Sequence, residues 1–115
     1  MIALTLPFPP SVNHYWGQHG KVRYITKRGK DFRQSVAEIV ADSGKKAEGR
    51  LQVVVSLFQP TRRKCDIDNY MKALLDALQH AGLFDDDEQI DSLFISRDKV
   101  TRGGLCKVLV LPLPL

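Results

Sequence analysis

Asp66 and Asp68 stand one residue apart in the stretch KCDIDNYMK, directly after a run of positive charge and just before a helical pattern. In an extended approach, residues i and i+2 point to the same side, which puts both carboxylates on one face with Ile67 turned toward the core. Two such anions about 5 Å apart repel by roughly 3 kcal/mol at an effective dielectric of 20. A divalent cation offsets that repulsion, and hard oxygen donors select Mg²⁺ or Mn²⁺ rather than zinc. Lys72 lies one turn into the helix, where it reads as a cation beside a reacting phosphate, and Arg62, Arg63 and Lys64 read as grips for a polyanion on its way in. Plainer roles compete. Asp68 at the N-cap would contribute about 1 kcal/mol, and Lys72 could pair with Asp76 one turn on. A cap occupies only one of the two aspartates.

The elements that must carry these groups follow from periodicity. Ile2 to Phe8 reads as a short strand ended by Pro7, Pro9 and Pro10, followed by a loop to about residue 20 and a strand at Val22 to Ile25. Phe32, Val36, Ile39 and Val40 form one stripe of a helix over about 30 to 46. LQVVVSLF from Leu51, closed by Pro60, reads as a central strand buried on both faces. Met71, Leu74, Leu75 and Leu78 mark a second helix over Asn69 to Ala81, with Gly82 as its left-handed cap. DSLFISRDKV and LCKVLVL read as two strands joined in a hairpin through TRGG. The predicted fold class is α+β: one domain over 1–115, a mixed or largely antiparallel sheet with two helices packed on it.

A second acidic group, Asp85, Asp86 and Asp87, follows the second helix. The helix advances about 20 Å and the five steps back to Asp87 reach at most about 18 Å, so a meeting with Asp66 and Asp68 in one chain is just feasible. A partner subunit is the other source of a third carboxylate.

Seventeen Lys and Arg against thirteen Asp and Glu give a net charge of +4, with basic residues crowded over Lys21 to Arg33 and at Arg62 to Lys64. Basic flanks around an acidic centre suit a polyanion handled through metal ions. Cys65 and Cys106 show no CxxC spacing and read as reduced, and His14, His19 and His80 have no metal spacing. DIDN lacks the glycine and terminal glutamate of a calcium loop. No run approaches the roughly 18 apolar residues of a membrane span, so a soluble intracellular protein is expected. Tyr15, Trp16 and Tyr24 read as half-buried packing, with stacking on unpaired bases as the alternative.

RRKCDIDNYMKALLDAL followed by HAGLFDDDEQ, together with the opening PPSVNHYW, resembles the RusA family of Holliday-junction resolvases. The resemblance implies a bacterial or phage-encoded cytoplasmic homodimer that binds four-way DNA junctions and nicks two strands symmetrically with Mg²⁺, Mn²⁺ substituting. By the same resemblance Asp66, Asp68 and Asp87 are the catalytic and metal-binding acids, with Asp86 as companion ligand and Lys72 as the essential lysine. Arg62, Arg63, Lys64, Asn13, Tyr15, Trp16, Lys21 and Arg23 are the expected DNA contacts. Cys65 departs from the family by standing where the basic run often continues, and Asp85 adds an acid to the usual pair. Rival readings are a metal nuclease for other branched or flapped DNA and a non-catalytic DNA-binding dimer whose carboxylates only cap a helix.

Overall fold

β4 (Leu51–Phe58), the most continuously apolar run of the chain, forms the interior of a four-stranded sheet in a computed structural model that describes residues 1–114. The strand order is β1 (Ile2–Leu6), β6 (Leu105–Pro112), β4, β5 (Ile90–Arg97). β1 and β4 both run antiparallel to β6, whereas β4 and β5 are parallel, so the sheet is mixed. The predicted hairpin between the last two strands does not form: β4 lies between them. Residues 98–104 therefore bridge about 10 Å, two strand spacings, which is wider than a tight turn spans. Gly103 and Gly104 do take positive φ, and a Cβ on Gly104 would stand 2.9 Å from the Pro60 ring.

β4 is also not buried on both faces. Leu51, Val53, Val55 and Leu57 point into the core, while Gln52, Val54 and Ser56 are half-exposed on a face that no helix among the described residues covers. β1 alternates the same way, with Ile2, Leu4 and Leu6 inward and Ala3 and Thr5 outward.

Both long helices pack on the inner face. The first, α2 (Lys27–Ser43), begins one turn earlier than the apolar stripe indicated. Thr26 caps it by accepting from the Gly29 N–H at 3.0 Å, and Gly44 ends it at φ +63°. Phe32, Val36 and Val40 are buried as the periodicity requires, with Ile39 at the margin. The stretch expected to be loop contains α1 (Val12–Tyr15) and β2 (Trp16–His19), the latter paired with β3 (Val22–Ile25) in a small hairpin. Gly29 lets α1 close on α2, since a Cβ there would sit 2.5 Å from the Tyr15 carbonyl oxygen.

The second long helix, α3 (Met71–His80), follows a 3₁₀ turn over Ile67–Tyr70 and ends before Gly82, at φ +84°. Leu74, Ala77 and Leu78 are fully buried, and burying each leucine contributes roughly 1.5–3 kcal/mol. This stripe is spent on the chain's own core and is unavailable to a partner.

Candidate active site

The 3₁₀ turn removes the capping role expected of Asp68. Asp66, rather than Asp68, occupies its N-cap position, and its side chain makes no capping bond. Asp68 falls in the first turn, and α3 has no side-chain cap at all. Ile67 packs against the core, leaving Asp66 and Asp68 exposed on either side of it, their side chains with no hydrogen-bond or ion-pair partner among the described residues. Lys72 is exposed and does not pair with Asp76. That carboxylate instead accepts from Arg33 Nη2 at 2.7 Å and from the Tyr15 hydroxyl at 2.5 Å.

Each of the three downstream acids has a distinct environment. Asp85 pairs with Lys46 at 2.7 Å. Asp86 caps the 3₁₀ turn Asp87–Gln89 by accepting from the Glu88 N–H at 2.9 Å, which commits one of its oxygens. Asp87 has no ion pair among the described residues. Its backbone N–H donates to Gln79 Oε1 at 2.8 Å, so the loop doubles back along α3 within the same chain. Burial, then the neighbouring Asp86 carboxylate, push the Asp87 carboxyl up, Asp76 adds to this, and the nearby Lys72 ammonium opposes it. Asp87 is therefore brought to the flank of α3 that carries Lys72 and Asp76. Among the described residues no three His, Cys, Asp or Glu side chains converge as a metal cage. Mg²⁺ commonly binds through one or two carboxylates plus substrate phosphates and waters, and the unpartnered Asp66 and Asp68 oxygens fit that pattern.

A cleft of about 550 Å³ opens beside Asp66. Arg28, Arg63, Lys64 and Asn69 line it, and Phe8, Pro9 and Ser11 with His14 of α1 form its far wall. His14 Nδ1 lies 2.9 Å from the Ser11 hydroxyl. Arg28 and Asn69 carry no site role in the sequence reading, and His14 reads there as an ordinary polar residue; Arg28 belongs to the basic crowd, and its place on the cleft wall distinguishes it. Tyr70 closes the floor against Phe8 at 4.9 Å, its hydroxyl pushed up to about 12 by burial and then by Cys65.

Of the expected DNA contacts, Arg62, Arg63 and Lys64 are exposed around this cleft, and Asn13, Lys21 and Arg23 are exposed at the α1 and hairpin end. Trp16 is half-buried, with the Arg23 guanidinium 4.3 Å over its ring. Tyr15 is a correction. It has no exposed surface, and its hydroxyl is held between Arg33 and Asp76, so it can offer no face to a base.

A half-covered α+β sheet with hard oxygen donors beside a basic cleft is the frame of a domain that handles polyanions. Residues 7–108 match the family described as endodeoxyribonuclease RusA. The crossover junction endodeoxyribonuclease of Enterobacteria phage HK97 is 38% identical over 104 residues, which span 87% of this chain and 85% of that one. Its counterpart in Escherichia coli K12 is 33% identical over 89% of this chain and 87% of its own. That of Enterobacteria phage 82 is 35% identical over 88% and 86%. The chain belongs to the RusA endodeoxyribonuclease family.

Proposed function

We propose that this chain is a Mg²⁺-dependent endodeoxyribonuclease that resolves four-way DNA junctions by paired symmetric nicks; its relatives are named crossover junction endodeoxyribonucleases. The observation that carries the reading is an aspartate pair whose side chains have no partner among the described residues, with Asp66 at the edge of a basic cleft, inside the motif order of the family. Asp66 and Asp68 would hold the ion, and Asp87 with the uncommitted oxygen of Asp86, which do not close on that pair as a cage, would join through waters or substrate phosphates. When bound, such an ion supplies charge neutralisation at the scissile phosphate and a water of lowered pKa.

The chain's own residues do the rest. Arg63, Lys64 and Arg28 bind backbone phosphates and draw the strand past Asp66. Lys72 meets negative charge that grows on the phosphate in the transition state, where a fixed cation contributes most. Asp87 lies within the field of that lysine, which favours its charged form against burial.

One chain carries one such site, and a four-way junction has two strands to nick, so a two-fold homodimer matches the substrate. The uncovered sheet face supports this assembly: Ala3, Val54, Leu109 and Phe94 run across all four strands, and Phe94 is 56% exposed. A second copy packed face to face would bury that stripe.

Asp68→Asn tests the site. It should lower Mg²⁺-dependent cleavage of a synthetic four-way junction by at least about 100-fold while junction binding is kept, because one charged ligand is lost and nothing structural depends on it. Cleavage at the native rate would end the metal assignment. Equal cutting of flaps and junctions by the native protein would favour the broader branched-DNA reading.

A further inference from the structure

Gln59, just past β4, is polar yet only 7% exposed, and its side chain is spent on the segment that leads to Asp66. Its Nε2 donates to the Arg63 carbonyl at 3.0 Å, and its Oε1 accepts from Arg97 Nε at 2.6 Å. Arg97, the last residue of β5, donates from Nη2 to the Cys65 carbonyl at 2.6 Å. The Gln59 carbonyl also accepts from the Thr101 N–H at 2.8 Å, which ties the crossover between β5 and β6 to the same point. Residues 61–66 have no helix or strand of their own, so their path depends on such anchors. Two carbonyls, one on each side of Lys64, are fixed from behind by one glutamine and one guanidinium. The second of them belongs to the residue that precedes Asp66.

A planar guanidinium reaches the Gln59 oxygen and the Cys65 carbonyl at once, as a single ammonium point charge does less well. Resting on the metal-site reading above, we infer that Gln59 and Arg97 form a brace that sets the position of Asp66. Arg97 is then a positioning residue: it acts through the Cys65 carbonyl, while Asp66 meets the ion.

Cys65 provides a readout that does not depend on cleavage. It is partly exposed and adjoins the braced carbonyl, whereas Cys106 is fully buried and silent to an aqueous thiol reagent. The full-length chain, native and as Arg97→Met and Arg97→Lys, is treated metal-free with Ellman's reagent and assayed for single-turnover junction cleavage in Mg²⁺. Junction affinity is measured in EDTA at fixed salt, and melting curves establish that each variant is folded. In Arg97→Met the Cys65 thiol should react about tenfold faster or more, and cleavage should fall about tenfold to a hundredfold, as a loosened reacting group predicts. Affinity should change less than about threefold, since at most one phosphate contact is lost. Arg97→Lys should restore part of both. An unchanged cleavage rate, or a loss accounted for wholly by weaker junction binding, overturns the brace. If the native protein does not cut junctions, the nuclease reading falls, and an unchanged Cys65 rate in Arg97→Met would then overturn the brace on its own.

Discussion

Asp76 and Asp87 differ in what surrounds them more than in what they are. Asp76 is neutralised by Arg33 and bonded to a buried tyrosine, whereas Asp87 is left beside Asp86 with no ion pair among the described residues, in the opposing fields of Asp76 and the exposed Lys72. Burial, then the bond to Asp76, raise the Tyr15 hydroxyl well above its ordinary value, so it stays a donor. Tyr15→Phe should lower unfolding stability by about 1–2 kcal/mol in urea titration, because it removes a buried bond to a charged acceptor without changing shape. On the cleft wall, Lys64→Gln should weaken junction binding at every sequence tested. It should also reduce the slope of log K against log salt by about 0.9, one phosphate contact's share. A slope equal to that of the native protein would remove Lys64 from the DNA path. Spacing brought Asp66, Asp68 and Lys72 to notice at the start of the helix, and the family resemblance gave them their expected roles. The place of Tyr15 was not legible, because an aromatic in a polar stretch reads the same whether it packs inward or stacks outward.

At the scale of elements, the turn that presents Asp86 and Asp87 is held by a clamp at the start of β4. Arg50 donates to Glu88 and Asp91, and Gln89 accepts from the Asp85 and Asp86 N–H groups while donating to the Gly49 carbonyl at 3.0 Å. Asp91 is skipped in the pairing between β4 and β5, an irregularity that leaves it free to face Arg50. Arg50 holds the Asp91 carboxyl below the usual range. The stability this adds is full above about pH 4, the unfolded-chain value, and is lost as pH falls through the depressed folded value. Arg50→Leu should therefore lower Tm at pH 7, with the gap to the native protein narrowing toward about pH 2. A gap independent of pH would assign the effect to the Glu88 carbonyl, which Arg50 also bonds. The two long helices, α2 and α3, were legible from their apolar stripes, whereas α1 lay in a stretch read as loop. The earlier start of α2 was hidden because its first turn is polar and rests on the Thr26 cap.

At the scale of the molecule, all three helices lie on one side of the sheet and the other side carries an apolar stripe with Phe94 at its edge strand. Phe94→Glu should shift sedimentation from dimer to monomer at micromolar concentration while the monomer keeps its fold, because a charge would have to be buried to form the interface. Dimer retained by this variant would place the two-fold interface elsewhere. What the sequence by itself determined was the local part: the two long helices and the main strands, where the carboxylates and basic residues stand along the chain, and which family order they follow. These depend on neighbours a few residues apart, where side-chain period and capping chemistry decide. Tertiary structure alone decided that β4 divides the last two strands, that Asp87 returns to the flank of Lys72, and that Tyr15 is buried. Each is a contact between residues far apart in the chain, set by which apolar surfaces bury one another best, and no local pattern records that choice.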